Sequence, residues 1–265
     1  MTTLLFYENP VPVQTDKHQK TKIKPLENKF RFAAKTNSVI LSGVEFVEAA
    51  KEYPIVFTRI GGEGNPIPLA LLGLRNDENL FVQKDGAWDA RYIPAFVRRY
   101  PFVLSKAPKG EQFMVCVDES YPGMNEEEGA PLFDEKGEQT PLLANAVNFL
   151  QDYQAQIQRT EQFTKTLIDN ELLVDLTARA TGPDQAQYSL GGLMAIDEKK
   201  LRALPDDKVL ALFKSGELGW IYSHLVSLSN LPTLANRLSK NLNEGKAAKP
   251  AAKKATVKRI TKTKK

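Results

Sequence analysis

The hydrophobic period of the chain changes once, near Thr140, and this change restricts the possible folds more than any other feature. Before it, short apolar runs bounded by Gly, Pro and Asp are typical of β-strands and hairpins, as at 55–58, 68–74, 102–104 and 112–117. The last two runs are predicted to pair through the turn at 106–110. After it, apolar residues recur at helical spacing over 141–170, and a proline stands at the first helical position. We therefore predict an α+β fold, with an antiparallel β-sheet in the N-terminal half and a mostly helical C-terminal half packed on it.

Further elements follow from the same patterns. The C-terminal half is predicted to continue with a strand and three shorter helices, over 188–196, 198–203, 206–214 and 217–229. The last helix is expected to bury one apolar face, formed by Leu218, Ile221, Tyr222, Leu225 and Leu228. In the N-terminal half, Ser42 and Glu45 have the spacing of a capping box at the start of a helix over 43–52.

Charge divides the chain into a body and a tail. The formal net charge of the whole chain is +4, but ten Lys and Arg lie within 240–265, which leaves the body mildly acidic. We predict an irregular N-terminal segment over 1–30, one domain over 31–239 and a disordered Lys-rich tail over 240–265. Such a tail is suited to weak electrostatic contact with an anionic membrane or a nucleic acid, and equally to a merely solubilising role.

Several classes of protein are disfavoured by what the sequence lacks. It has no apolar run of about 18 residues and no basic start followed by an apolar core, so we expect neither a transmembrane segment nor a signal peptide, and a cytoplasmic location. Its one cysteine, Cys116, excludes an internal disulfide. Because Cys116 falls inside an apolar strand, we interpret it as a buried, inert thiol.

The common catalytic and cofactor motifs are also missing. No P-loop, no glycine fingerprint for dinucleotides and no nucleophile elbow occurs. The two histidines are His18, which lies in a polar basic run and is predicted to be solvent-exposed, and His224 on the last predicted helix. With so few histidines and one cysteine, we expect no metal site and no cofactor.

A small set of polar and aromatic side chains remains as candidates for a ligand site or an interface. These are Trp88, Arg91, Tyr92, Arg98, Arg99, Asp118 and His224. Arginines flanked by aromatic rings bind carboxylates and phosphates, and they are also common in protein interfaces. In the simpler interpretation the aromatic rings fill the core, and Arg91 and Arg98 pair with acids such as Asp118 or Glu119. His224 is interpreted first as a structural histidine and second as a catalytic base.

The run Trp88–Phe102 and several shorter stretches of the chain resemble the SapC family. These are bacterial proteins of about this length that are named after an S-layer-associated component. The similarity covers about 40–237, and its most specific part is the run Trp88–Phe102. The other matching stretches include Tyr53–Thr58, Ala70–Arg75, Leu132–Glu138, Phe149–Tyr153 and Ile221–Asn230. The resemblance implies a link to surface-layer biogenesis or secretion. It also implies a genomic neighbourhood of outer-membrane receptor and flavin-dependent halogenase genes, which suggests nutrient uptake, but it supplies no catalytic residues.

Two functional hypotheses follow. In the first, the chain is a non-enzymatic accessory or binding protein that supports surface-layer secretion or an outer-membrane uptake system through a protein or small-molecule partner. In the second, it is an enzyme in which Arg91 or Arg98 orients a small acidic or carboxylate-bearing substrate and His224 or Asp118 transfers a proton. The second requires a pocket shared by the arginines and His224, and it fails if His224 is sealed in apolar packing.

Overall fold

The computed structural model describes residues 5–59, 64–106, 113–181 and 187–247. Its strands are β1 (Pro10–Pro12), β2 (Lys22–Ile23), β3 (Ser38–Ile40), β4 (Ile55–Thr58), β5 (Ile67–Leu71), β6 (Phe102–Lys106), β7 (Phe113–Asp118), β8 (Met124–Asn125), β9 (Ala130–Pro131), β10 (Leu173–Thr181) and β11 (Gln187–Ile196). Its helices are α1 (Thr15–His18), α2 (Phe46–Ala49), α3 (Ala95–Arg98), α4 (Pro141–Asp169), α5 (Glu198–Arg202), α6 (Asp206–Ser215), α7 (Glu217–Ser227) and α8 (Leu231–Ala247). The predicted α+β fold is confirmed, with antiparallel sheets in the N-terminal half and a helical C-terminal half.

The largest sheet has five antiparallel strands in the order β10–β11–β4–β5–β3. Its middle strand, β4, buries Ile55, Val56 and Phe57 completely. A strand that is apolar at successive positions must be covered on both faces, and helices α4 and α7 contribute Phe163 and Ile221 to the same core. The main hydrophobic core therefore lies between this sheet and the C-terminal helices.

Two smaller sheets, β1–β7–β6 and β8–β2–β9, organise the rest of the N-terminal half. The predicted strands around 102–104 and 112–117 do pair, with Phe102 opposite Val117. The segment 1–30, which was predicted to be irregular, instead contains β1, α1 and β2. Two of the three residues of β1 are prolines, and it is an edge strand, where a missing backbone N–H is tolerated.

Helix α4 connects two hydrophobic clusters. The predicted long helix over 141–170 is confirmed, since α4 spans Pro141–Asp169. Leu143 and Leu150 near its start pack in a second cluster with the small sheets, whereas Phe163 and Leu167 near its end belong to the main core. No helix in the described ranges is both long enough and apolar enough to cross a membrane.

In the C-terminal half, strand β10 and helix α8 were not predicted, and the boundary of the tail was wrong. Strand β10 pairs with β11 along nearly its whole length, from Leu173 opposite Ile196 to Thr181 opposite Gln187. Helix α8 continues to Ala247, so the first residues of the predicted disordered tail, 240–247, are helical. The reason is that α8 has an apolar face. Leu234 and Leu238, four residues apart on this face, are buried in the main core. Residues 248–265 lie outside the described residues.

Glycine substitutions test how tightly α7 packs on the turn that precedes α2. A Cβ added at Gly43 would lie 2.3 Å from the Trp220 ring, whereas one added at Gly219 on α7 would have no neighbour within 4 Å. We expect Gly43→Ala to lower the free energy of unfolding by about 2 kcal/mol through overpacking. The matched change Gly219→Ala should raise it by up to about 1 kcal/mol, because alanine favours a helix. Urea denaturation measures both, and an unchanged stability of Gly43→Ala would contradict this packing.

Candidate functional site

The structure distributes the seven candidate side chains over three places. Four lie around a surface cleft beside α2, two are buried near the N-terminal segment, and one is sealed in the main core. They do not form a single site. The cleft and a neighbouring groove are open to solvent, so a ligand can reach them.

A buried carboxylate, that of Glu45, positions the wall of the cleft. It is only 5% exposed. Its Oε2 accepts hydrogen bonds from the Ser42 backbone N–H and hydroxyl at 2.9 and 2.8 Å, which confirms the predicted capping box. Its Oε1 accepts from the Tyr92 hydroxyl and the Ala95 N–H, both at 2.7 Å. Burial, and then the Glu45 charge, raise the pKa of Tyr92 above its ordinary value, so Tyr92 stays a hydrogen-bond donor.

The cleft itself, here called the Arg91 cleft, has a volume of about 450 Å³ and is lined by Glu48, Lys51, Glu52, Arg91 and Tyr92. Glu52 Oε1 accepts a hydrogen bond from the Arg91 backbone N–H at 2.7 Å, and Lys51 Nζ lies 2.6 Å from Glu48 Oε1. The Arg91 guanidinium is exposed and makes no hydrogen bond or ion pair with any residue that the structure describes. It is therefore available to an external group.

Trp88 supports the cleft from behind instead of lining it. Its Nε1–H donates to the Tyr53 hydroxyl at 2.8 Å, and that hydroxyl donates to the Tyr92 carbonyl. The Trp88 ring also stacks on Phe81, with the ring centroids 6.4 Å apart and the planes inclined by 19°. The Trp88 ring is half-buried and packs against the main core, and its hydrogen bond to Tyr53 helps to fix the backbone at Tyr92.

Arg98 lies on the far side of Tyr92 and remains exposed. Its Nε–H donates to the Ile93 carbonyl at 2.9 Å, and its guanidinium lies 5.9 Å from the Tyr92 ring and 5.1 Å from the Phe149 ring. These contacts hold the guanidinium against aromatic faces through cation–π attraction. Arg98 thus adds a positive charge to the neighbourhood of the Arg91 cleft.

Asp118 is not a partner of these arginines, so the predicted pairing of Arg91 and Arg98 with Asp118 or Glu119 is wrong. The Asp118 side chain is completely buried at the end of β7. It accepts hydrogen bonds from the backbone N–H groups of residues 8 and 9, at 3.0 and 2.9 Å. A buried carboxylate with such donors is satisfied internally, and it ties the N-terminal segment to the sheet.

Arg99 is the second buried candidate. It is 7% exposed, and its guanidinium lies 4.0 Å from the Phe96 ring centroid, with the rings of Tyr7 and Tyr153 at 5.7 and 5.5 Å. Burial raises the pKa of Tyr7 above its ordinary value, and the charge of Arg99 opposes this. Arg98 and Arg99 are adjacent in sequence, but Arg98 is exposed whereas Arg99 is buried among aromatic rings.

His18 was predicted to be solvent-exposed, and this is wrong. His18 is the last residue of α1, and its side chain is buried. Its Nδ1 lies 3.1 Å from the Gln14 backbone N, and its Nε2 lies 3.4 Å from Glu119 Oε1. Glu119 also pairs with Lys17, and the hydrogen bond from Lys17 is the main cause that lowers the pKa of Glu119. The basic run is thus part of the contact that holds the N-terminal segment.

His224 lies in the sealed interior, as expected for a structural histidine. It is 0% exposed, its ring centroid is 5.1 Å from that of Phe57, and its Nε2 accepts a hydrogen bond from the Ile196 backbone N–H at 3.0 Å. Burial lowers the pKa of His224 to about 4, and the backbone of Ile55 opposes this only in part. His224 is therefore neutral near pH 7 and has no path to a ligand in the Arg91 cleft.

A second exposed feature, here called the α2–α7 groove, borders the cleft. It has a volume of about 290 Å³ and is lined by Val47, Ala50, Lys51, Gly219, Tyr222, Ser223 and Val226. Val47, Tyr222 and Val226 are 53%, 46% and 64% exposed, which is high for large apolar side chains. Because Lys51 lines both cavities, the groove and the cleft are neighbours on the surface.

Sequence reasoning missed this groove and placed Tyr222 on the buried face, which is wrong. The sequence contained an indication of the groove, because α7 carries apolar residues on nearly all of its sides. A helix that packs on a sheet buries only one side, so apolar residues on another side stay exposed. In the structure Trp220, Ile221 and His224 form the buried side. Tyr222 and Val226, which lie one turn apart, are the apolar residues that remain exposed on the other side.

Other reactive centres are not evident in the part of the chain that the structure describes. Cys116 is buried and unpaired, and burial raises the pKa of its thiol, which agrees with the predicted inert thiol. Within 5–59, 64–106, 113–181 and 187–247, no three His, Cys, Asp or Glu side chains come together as a metal site would require.

The burial of His224 makes the stability of the fold depend on pH. Since the pKa falls from 6.5 to about 4 on folding, the unfolded chain takes up the proton first, and stability is lost as pH falls from about 6.5 to about 4. The loss from this group should reach about 3 kcal/mol. His224→Gln, which keeps an acceptor but does not titrate, should show a shallower fall over this range in urea denaturation. Parallel curves for the two proteins would show that His224 does not titrate as its burial requires.

Comparison with known proteins agrees with the resemblance noted in the sequence. The family model described as SapC matches residues 13–234, which includes the Arg91 cleft, the α2–α7 groove and all seven candidate residues. No curated protein and no solved structure is significantly similar. Because the family model covers most of its length, the chain belongs to the SapC family.

Proposed function

We propose that this chain is a non-enzymatic accessory protein that works by binding another protein through the surface formed by the Arg91 cleft and the α2–α7 groove. The observation that carries the proposal is the juxtaposition of exposed apolar side chains, Tyr222 and Val226 above all, with an arginine whose guanidinium has no partner among the described residues. Tyrosine and arginine are enriched among the residues that dominate binding energy in protein interfaces.

The rival enzymatic hypothesis receives less support. It assigned proton transfer to His224 or Asp118, and both side chains are completely buried and hydrogen-bonded inside the fold. A proton-transfer group must reach the reacting atom directly or through one water. The exposed arginines are left without such a group from this set, which favours recognition over chemistry.

The cellular context that we propose follows the family. The protein would act in the cytoplasm and support surface-layer secretion or an outer-membrane uptake system, the two settings that the resemblance implies. A partner protein from either system would cover the apolar groove and pair with Arg91. Buried apolar area of this kind is the usual source of affinity, whereas the arginine adds specificity.

A site-specific cross-link tests this function in the producing cells. A photo-reactive residue at Tyr222 should give a discrete protein adduct, whereas one at Ala155, which is exposed on α4, should not. Arg91→Glu, on an exposed side chain, should reduce the Tyr222 adduct at least tenfold while the thermal unfolding midpoint stays unchanged. Absence of an adduct at Tyr222, or the same adducts from both positions, would contradict the proposed binding role.

A further inference from the structure

We infer that the α2–α7 groove accepts an amphipathic helix of a partner protein, and that the Arg91 cleft binds an acidic side chain of the same helix. The inference rests on the proposed function, because it names the chemistry of the partner that the surface would bind. It assigns the two cavities to one ligand, since Lys51 lines both.

The shape of the groove suits a helix. It is lined by the large apolar residues Val47, Tyr222 and Val226 together with small residues, among them Gly219 and Ser223. A Cβ at Gly219 would meet nothing within 4 Å, so the space above this residue is open. Helices pack closely where small residues let their backbones approach, and helix-in-groove recognition uses apolar side chains three and four residues apart.

The polar groups of the groove also suit an apolar partner face. The Ser223 hydroxyl donates to the Gly219 carbonyl at 2.8 Å, within α7 itself. A helix that covered these two residues would therefore not leave this hydroxyl without a hydrogen bond. Lys51 at the border is already paired with Glu48. A partner can thus cover the groove while the Ser223 hydroxyl and the Lys51 ammonium keep their partners within the fold.

The charges of the cleft specify an acidic group on the partner. Two cations, Lys51 and Arg91, and two carboxylates, Glu48 and Glu52, line the cleft, and a third cation, Arg98, lies against the Tyr92 ring. Glu48 pairs with Lys51, and Glu52 accepts from the Arg91 backbone, so the Arg91 guanidinium keeps its full set of donors. An arginine fork matches a carboxylate with two parallel hydrogen bonds. The partner helix should therefore carry Asp or Glu on the same face as its apolar residues.

A display library of helical peptides selected on the full chain tests this inference. The enriched peptides should share two large apolar residues three or four apart and an Asp or Glu on the same face. Selection on Arg91→Glu should replace the acid with Lys or Arg. For the best peptide, fluorescence anisotropy should show at least tenfold weaker binding to Gly219→Leu, which fills the groove, and unchanged binding to Ala155→Leu, a matched addition on an exposed face of α4.

Several results would overturn the inference. These are no enrichment on the unmodified chain, a consensus without an acid or indifferent to Arg91→Glu, and binding that survives Gly219→Leu. Sedimentation that shows a dimer which Gly219→Leu dissociates would assign the groove to a second copy of the chain. If the Tyr222 cross-link finds a protein without an acidic amphipathic helix, the binding function stands and this inference fails, so the two proposals fail separately.

Discussion

The carboxylate of Glu45 is the interaction on which the arrangement of the functional surface depends. It closes the turn before α2 through Ser42 and, with its other oxygen, holds the Tyr92 hydroxyl and the first amide of α3 at Ala95. The turn at Ser42 and the stretch from Tyr92 to Ala95, about 50 residues later in the sequence, are thus both hydrogen-bonded to one buried carboxylate. A buried carboxylate is stable only when its lone pairs are used, and here four donors use them.

The same principle divides the candidate residues between structure and function. Asp118 holds the N-terminal segment through backbone amides, and His224 holds the C-terminal end of β11 through the Ile196 amide. Both accept hydrogen bonds from backbone N–H groups of the fold, and both are closed to solvent. Arg91 and Tyr222 have the opposite character. Both side chains are exposed, and the Arg91 guanidinium has no partner among the described residues. Binding by surface complementarity is the function that this division favours.

Local patterns in the sequence predicted what local physics decides. The period of α4, the capping box at Ser42 and the pairing of β6 with β7 all depend on neighbours a few residues apart, and all are observed. The second pair of donors to Glu45 comes from a distant stretch and carries no local signal. His18 is likewise buried beside Glu119, a residue distant in sequence, and its polar neighbours in sequence do not indicate this. Tyr222 was misplaced because an apolar helix does not reveal which side the sheet covers.

Amide hydrogen exchange at Ala95 in the Glu45→Gln variant tests most directly whether this carboxylate ties α2 to the arginine-bearing segment. A neutral amide cannot accept from all four donors, and hydrogen bonds to charged groups contribute about 1.5–3 kcal/mol. The account predicts exchange of the Ala95 or Ser42 amide about ten- to a hundredfold faster, with the Ile196 amide, which is bonded to His224, unchanged. Unchanged rates at both Ala95 and Ser42, or equal acceleration at Ile196, would contradict it.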